Sequence, residues 1–133
     1  MKDVWDGLIA FYGTDNLEKT HKFYSGLLEL KLYKDQGKCK IYEVPNGGKI
    51  GFCEHLDNCV GENGPIITFI AKDVDMVYAH IASSGYKIPP LPEVNEEFQI
   101  YHFFAEDPNG YKIEIQKFID DEDFEDKSNL EKG

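Results

Sequence analysis

The order of apolar and polar residues along the chain predicts a strand, then a helix, then three more strands. Residues 7–12 are almost all apolar, as expected of a buried strand. Asp15 then offers a helix N-cap, and Glu18 three residues later completes a capping-box arrangement. Gly26 lies near the expected end of this helix. One face of the helix is predicted to pack on a sheet through residues at helical spacing: Leu17, Thr20, Tyr24, Leu27 and Leu28.

Three strand-like runs follow this helix. They cover residues 29–35, 38–44 and 48–54. The segments between them, Asp35-Gln36-Gly37 and Pro45-Asn46-Gly47, have the composition of hairpin turns. This part of the chain is therefore predicted to form a βαβββ module.

The same pattern returns in the second half of the chain. Asp73 is the predicted cap of a second helix, which is expected to stop at Gly85. Its buried stripe consists of Val74, Val77, Tyr78 and Ile81. The three strands after it are predicted at residues 86–89, 97–105 and 110–117.

The two halves also align residue by residue. Residues 8–15 match residues 66–73 at an offset of 58, and residues 45–52 match residues 108–115 at an offset of 63. The later copy therefore carries about five extra residues, which we place at 89–93. Two such copies predict one pseudo-symmetric α+β fold, and a cavity between them is where a functional site is expected.

Length and composition indicate one domain. With 133 residues and 41% hydrophobic content, the chain can bury one ordinary core. We assign a single domain to residues 1–118, with a first module at about 5–56 and a second at about 65–118. Residues 119–133 carry seven acidic residues against two lysines and are predicted to form an acidic, disordered tail.

The net charge of the chain limits the classes of partner that it is expected to bind. With 25 acidic and 14 basic residues the formal net charge is −11, so nucleic acid and anionic membranes are not expected to bind. All 14 basic residues are lysines. The bidentate guanidinium fork that usually clamps carboxylates or phosphates is therefore missing.

Cysteines and the N-terminal residues indicate a cytoplasmic location. Cys39, Cys53 and Cys59 are odd in number and lack zinc-type spacing, so we expect reduced thiols. Charged residues, Lys2 and Asp3 among them, interrupt the N-terminal stretch, and neither a signal peptide nor a membrane span is expected there.

The chain resembles the vicinal oxygen chelate superfamily, which contains glyoxalase I, extradiol dioxygenases, and fosfomycin and bleomycin resistance proteins. The resemblance covers residues 7–117. It depends on Asp15, Lys22-Phe23-Tyr24 and Leu27-Leu28-Glu29-Leu30 in the first half and on residues 107–114, which begin Asp107-Pro108-Asn109-Gly110, in the second. It implies two βαβββ modules in the glyoxalase/bleomycin resistance/dioxygenase fold, with their sheets curled into a shared cup that holds the ligand. A homodimer is also implied.

The resemblance further implies where a metal centre would lie. The ligand positions on the first strand of each module correspond to Leu8 and Ile66, and those on the last strand to Gly51 and Glu114. Only Glu114 carries a donor group, and one carboxylate does not replace three or more ligands. We therefore expect no metal and no other cofactor.

By the same resemblance, His102 and Phe104 point into the cup toward Glu114. Cys39 and Cys53 occupy comparable inward positions in the first module. Glu114 and His102 are candidate catalytic residues, acting as general base and acid. Two alternatives stay open, namely that the pair binds a polar ligand group or that His102 is a structural histidine beside a solvated strand. His55 is a candidate for the mouth of the cup.

Alternation along the strands predicts an apolar and aromatic cavity wall. Leu8, Ala10 and Tyr12 are expected to face inward, while Ile9 and Phe11 face the helix. The full set of predicted ligand-binding residues is Leu8, Ala10, Tyr12, Gly51, Cys53, Ile66, Thr68, Phe98, Ile100, His102, Phe104 and Glu114.

Three functions are compatible with these features. The favoured one, similar to bleomycin resistance proteins, is a metal-independent protein that binds a planar small molecule, a drug or metabolite, with cationic compounds among the candidates. The alternatives are a glyoxalase I-like lyase or isomerase with a degenerate or rebuilt metal site, and a non-catalytic interaction domain that uses the acidic tail.

Overall fold

A computed structural model describes residues 1–119, and the chain forms two four-stranded sheets there. The first module consists of β1 (Ile9–Gly13), α1 (Leu17–His21), a π-helical segment (Lys22–Leu27), β2 (Lys31–Asp35), β3 (Cys39–Glu43) and β4 (Lys49–Cys53). The second consists of β5 (Ile66–Ile70), α2 (Val74–Ala82), β6 (Glu93–Asn95), β7 (Ile100–Glu106) and β8 (Lys112–Phe118). The predicted acidic tail lies almost entirely outside the described residues.

The sheets have the same topology. Their strand orders are β1-β4-β3-β2 and β5-β8-β7-β6. In each sheet the first strand runs parallel to the last, and the other neighbours are antiparallel. The prediction of two βαβββ modules is confirmed.

Two compact units can be distinguished by their internal contacts. The first comprises Met1–Pro65 together with Asp107–Tyr111, and the second comprises Ile66–Glu106 and the chain from Lys112 onward. The turn that connects β7 to β8 thus belongs to the first unit.

Aromatic rings form the core of the first unit. Tyr24, on the π-helical segment, stacks on Phe52 of β4 at a centroid distance of 4.4 Å and lies 6.2 Å from Tyr42 of β3. Phe23, Tyr24, Tyr42 and Phe52 are all buried. Burying these rings attaches the helix to one face of the sheet.

The first helix is capped by Asn16 rather than by Asp15. The Asn16 side chain accepts a hydrogen bond from the backbone N–H of Lys19 at 2.9 Å, so the predicted capping box with Glu18 is wrong. Asparagine is as good an N-cap as aspartate, and the adjacent pair left two possible registers. Gly26 lies inside the π-helical segment.

The second helix begins at the predicted cap, Asp73, but ends at Ala82, three residues before the predicted stop at Gly85. The Asp73 side chain accepts a hydrogen bond from the backbone N–H of Met76 at 3.0 Å. Gly85 follows the helix with a φ of +90°, a conformation that favours glycine.

The strand expected at residues 86–89 is not formed. The edge strand is β6, Glu93–Asn95, which pairs with β7. Pro89, Pro90 and Pro92 lack backbone N–H groups, and proline fits poorly within a paired strand. The strand therefore starts after the last of these prolines.

No helix within residues 1–119 has the length and apolar character needed to cross a membrane.

Buried tyrosines make the fold sensitive to alkali. Burial, followed by the Asp35 carboxylate, raises the pKa of Tyr42 from 10.0 to about 12. Burial also raises the pKa of Tyr24 well above 10.0, and Asp107 adds to this shift. In the unfolded chain these tyrosines lose their protons near their ordinary pKa of about 10, whereas in the folded protein they keep them. The stability that comes from this difference in pKa is fully present below pH 10 and is lost as the pH rises through the folded pKa values.

We expect the free energy of unfolding to fall above pH 10 by up to about 1.4 kcal/mol per pH unit for each such tyrosine. Urea unfolding at several pH values between about 9 and 11.5 measures this slope. Tyr42→Phe keeps the ring and removes the ionisable group, so its slope should be shallower than that of the wild type. Equal slopes in the two proteins would contradict the assignment.

Candidate functional site

Strand register brings three predicted site residues side by side on the second sheet. Glu114 of β8 lies opposite Thr68 of β5 on one side and Phe104 of β7 on the other. His102 lies two residues before Phe104 and therefore points to the same face. Thr68, His102, Phe104 and Glu114, all predicted to bind ligand, therefore share one face of this sheet.

Glu114 is held from two sides. Its Oε1 accepts a hydrogen bond from the Thr68 hydroxyl at 2.8 Å, and its Oε2 lies 2.7 Å from Nδ1 of His102. The side chains of His102 and Glu114 are only 9% and 12% exposed. We call Thr68, His102 and Glu114 the Glu114 cluster. The predicted proximity of His102 and Glu114 is present, and the arrangement allows a proton to pass between imidazole and carboxylate.

An exposed aromatic ring adjoins the Glu114 cluster. Phe104 is 36% exposed, and its ring meets the His102 ring edge-on at 5.2 Å. The ammonium group of Lys112 lies 5.4 Å from the centre of the Phe104 ring. Ile66 and Ile70, on the same face of β5 as Thr68, are also exposed. A partly buried carboxylate thus shares its sheet face with exposed apolar side chains.

Two other predicted ligand-binding residues, Ile100 and Phe98, differ in their exposure to solvent. Ile100 is buried at the start of β7, whereas Phe98 precedes the strand and is largely exposed. The backbone N–H of Phe98 donates to the Asn95 side chain at 3.1 Å.

In the first unit the predicted facing of β1 is wrong. β1 pairs with β4 so that Phe11 lies opposite Gly51, which places Phe11 on the face that carries Gly51 and Cys53. Ala10 and Tyr12 point to the other face. The ring of Tyr12 contacts those of Phe52 at 5.8 Å and Tyr111 at 5.5 Å. Leu8 precedes β1 and is 72% exposed.

The error is a shift of one residue in the alignment of the two copies. Lys49 pairs with Ile9, and its counterpart Lys112 pairs with Ile66. The structural equivalent of Ile66 is therefore Ile9, not Leu8. A one-residue shift moves every side chain of a strand to the opposite face.

With the corrected alignment, the first unit holds apolar groups where the second has the Glu114 cluster. Phe11 corresponds to Thr68, Gly51 to Glu114 and Cys39 to His102. A Cβ at Gly51 would lie 2.6 Å from the Phe11 ring, so that ring fills the space of the side chain that glycine lacks.

The residues present do not fit the superfamily's metal centre. Ile66 and its structural equivalent Ile9 offer no lone pair, and neither does Leu8. The Phe11 ring takes the place of a ligand side chain at Gly51. Both oxygens of Glu114 already accept or share hydrogen bonds with Thr68 and His102. A single carboxylate does not form such a centre.

Cys39 and Cys53 form a disulfide, which corrects the expectation of three reduced thiols. They lie directly opposite each other on β3 and β4, with their Cα atoms 4.1 Å apart. Cys59 is free and exposed. Cys53 thus lies on the predicted face, bonded to its neighbour.

The Asp107-Pro108-Asn109-Gly110 turn has contacts that the sequence did not predict. The hydroxyl of buried Tyr24 donates to Asp107 at 2.6 Å, and the hydroxyl of Tyr111 donates to the Gly13 carbonyl at 2.8 Å. The Thr14 hydroxyl donates to the Asn109 side chain at 2.6 Å. The motif therefore fastens the β7–β8 turn to the helix and first strand of the first unit. The recurrence of Pro-Asn-Gly at the end of both copies was the only signal of this role, and Asp107 itself has no counterpart in the first copy, where Val44 stands.

The sequence matches no protein-family model and no curated protein. Solved structures, however, share its fold. An integron cassette protein from the mobile metagenome of the Halifax Harbour sewage outfall has a TM-score of 0.71 at 19% identity, covering 86% of this chain and 99% of that one. A glyoxalase/bleomycin resistance protein/dioxygenase from Alicyclobacillus acidocaldarius has a TM-score of 0.68 at 17% identity, covering 88% and 94%. A glyoxalase/bleomycin resistance protein from Albidiferax ferrireducens has a TM-score of 0.63 at 24% identity, covering 82% and 95%.

At these identities the likeness establishes the fold. The chain has the α+β fold of glyoxalase/bleomycin resistance protein/dioxygenase proteins, as predicted. This agrees with the resemblance of its sequence to the vicinal oxygen chelate superfamily.

Proposed function

We propose that this protein binds a planar organic cation without a metal ion, at the Glu114 cluster and the adjoining Phe104 ring. The observation that carries the proposal is a partly buried carboxylate next to an exposed aromatic ring, with the exposed Ile66 and Ile70 side chains on the same face. Small-molecule sites commonly combine apolar surface with a few fixed polar groups.

Glu114 is suited to anchor a positive charge because its position is fixed before a ligand arrives. Thr68 and His102 hold its two oxygens at 2.8 and 2.7 Å. A carboxylate has about four acceptor directions, so each oxygen retains a lone pair for a ligand N–H. Little ordering of this side chain is required on binding.

Phe104 supplies the complementary aromatic surface. Lys112 already lies 5.4 Å from the centre of the ring, which is within the range of a cation–π contact. A ligand cation would replace this ammonium group, which belongs to an exposed lysine, and stack on the ring. The formal charge of −11 favours the approach of cations over that of anions.

Names of structural neighbours are consistent with this proposal. Several are described as glyoxalase/bleomycin resistance proteins. We also propose that the protein binds a drug and so acts in antibiotic resistance. We place it in the cytoplasm, as a homodimer.

Calorimetric titration with ethidium and with bleomycin tests the proposal. We expect Glu114→Gln to weaken binding roughly 10- to 100-fold, the value of a hydrogen bond to a charged group. Phe104→Leu should weaken it roughly 3- to 30-fold through loss of the cation–π contact. Added chelator should leave the affinity of the wild type unchanged.

A matched control is available in the first unit. Tyr33 is exposed and has the Lys49 ammonium group 4.7 Å from its ring, but it belongs to the other sheet. Tyr33→Leu should leave the affinity unchanged. Equal affinities of the wild type, Glu114→Gln and Phe104→Leu would refute the proposed site, as would binding that requires a divalent ion.

A second candidate function is proton transfer by a lyase or isomerase, favoured by the 2.7 Å contact between His102 and Glu114. In deuterated water, such an enzyme would introduce deuterium at an acidic C–H of a bound compound with two vicinal oxygens. Recovery of the compound without deuterium would favour binding alone. The third possibility, an interaction domain that acts through its acidic tail, depends on residues outside the described part of the chain.

A further inference from the structure

We infer that Cys39, Cys53 and His55 form a binding site for a thiophilic metal ion, Zn²⁺, when the disulfide is reduced. The three side chains offer two sulfur atoms and one imidazole nitrogen, all within 4.8 Å of one another. The site belongs to the first unit, whereas the Glu114 cluster belongs to the second. It does not use the metal positions implied by the superfamily resemblance.

Local structure brings His55 back over the cysteine pair. A turn follows β4 and is closed by the backbone N–H of Leu56, which donates to the Cys53 carbonyl at 3.4 Å. This turn places Nδ1 of His55 3.8 Å from Sγ of Cys39. Gly13 permits the arrangement, because the backbone of Leu56 and Asp57 passes through the space that a side chain at Gly13 would occupy.

The donor set selects the class of metal. Two thiolates and one imidazole suit Zn²⁺, whereas Mg²⁺ and Ca²⁺ prefer oxygen ligands. Tetrahedral zinc, with bonds of about 2.3 Å to sulfur and about 2.0 Å to nitrogen, holds neighbouring donors roughly 3.5 to 3.8 Å apart. The His55–Cys39 separation already falls in this range. Three protein ligands leave the fourth position open to water.

Burial of the site is uneven, which gives the ion a path of entry. Cys39 and Cys53 are buried, whereas His55 is exposed. Phe11 and Ile41 flank Gly51 on the same face of the sheet and provide an apolar wall. The ion would approach from the His55 side and reach the thiolates last.

Metal binding and disulfide formation exclude each other. A dithiol reductant donates two electrons and two protons, its own sulfurs become a disulfide, and the Cys39–Cys53 bond breaks to give two thiols. Zn²⁺ then displaces both thiol protons to bind the thiolates. The oxidised chain has no thiolate to offer at this site, so we expect the redox state to determine metal affinity.

The experiment uses the full chain, reduced with a phosphine under anaerobic conditions and titrated with Co²⁺ as a spectroscopic probe. We expect one Co²⁺ per chain, a thiolate-to-cobalt charge-transfer band, and loss of that band when Zn²⁺ is added. His55→Ala should lower the affinity at least roughly 10-fold, since even the loss of an outer-shell partner costs 10- to 100-fold. Cys59→Ser, which removes the remaining cysteine, should behave like the wild type.

Several results would overturn the inference. These are a reduced wild type without the charge-transfer band, a band abolished by Cys59→Ser, a His55→Ala affinity equal to that of the wild type, and equal binding by the oxidised chain. Because His55 is exposed, its replacement tests the site even if a Cys39 or Cys53 variant folds poorly. The cobalt spectrum does not report on Glu114, so this inference and the proposed ligand site fail or succeed independently.

Discussion

Replacing Asp107 with alanine is expected to lower the free energy of unfolding by about 3–5 kcal/mol. Asp107 is buried, and its Oδ2 accepts a hydrogen bond from the Tyr24 hydroxyl at 2.6 Å. Its Oδ1 accepts from the backbone N–H groups of Asn109 and Tyr111 at 2.8 and 2.9 Å. Alanine would leave the hydroxyl of Tyr24 and the N–H of Tyr111 buried without this acceptor, and each such loss costs about 1–3 kcal/mol.

Urea unfolding of Asp107→Ala and Asp73→Ala separates this effect from ordinary loss of an aspartate. The Asp73 side chain accepts one hydrogen bond, from Met76 at an exposed helix N-terminus, so its replacement should cost only about 1 kcal/mol. In Tyr24→Phe the stranded hydroxyl is absent, and Asp107→Ala should then cost less than it does in the wild type. A cost no larger than that of Asp73→Ala would show that Asp107 does not fasten the turn.

The order of the elements was predictable because each copy carries its own local signals. A cap precedes each helix, a Pro-Asn-Gly turn precedes each last strand, and the two copies support each other. The proximity of His102 and Glu114 was implied by the superfamily resemblance. The hydrogen bond from Thr68 to Glu114 was not, because it depends on the register of β5 on β8.

The facing of β1 was not predictable in the same way. Residues 8–12 are apolar on both faces, so nothing in the pattern fixes which alternate set contacts the helix. The pairing of Ile9 with Lys49 decides it, and this pairing depends on contacts far apart in sequence. The disulfide was not predicted from the sequence for a similar reason, because Cys39 and Cys53 become neighbours only through the register of β3 on β4.

Gly13→Ala is expected to destabilise the protein by about 3 kcal/mol or more, the upper end of the range for overpacking. A Cβ at Gly13 would overlap the backbone carbonyl groups of Leu56 and Asp57. Backbone atoms do not rotate away as a side chain does, so the segment after β4 must move as a whole. Movement of the Gly13 carbonyl would also weaken the 2.8 Å hydrogen bond that it accepts from Tyr111.

Gly26→Ala provides the matched control for this substitution. A Cβ at Gly26 meets nothing within 4 Å, and the position lies within a helical segment. Alanine there should be neutral or should stabilise the protein by up to about 1 kcal/mol. If denaturant unfolding gave Gly13→Ala the stability of Gly26→Ala, the segment after β4 would not be fixed against β1. The turn that carries His55 toward Cys39 would then lack its support.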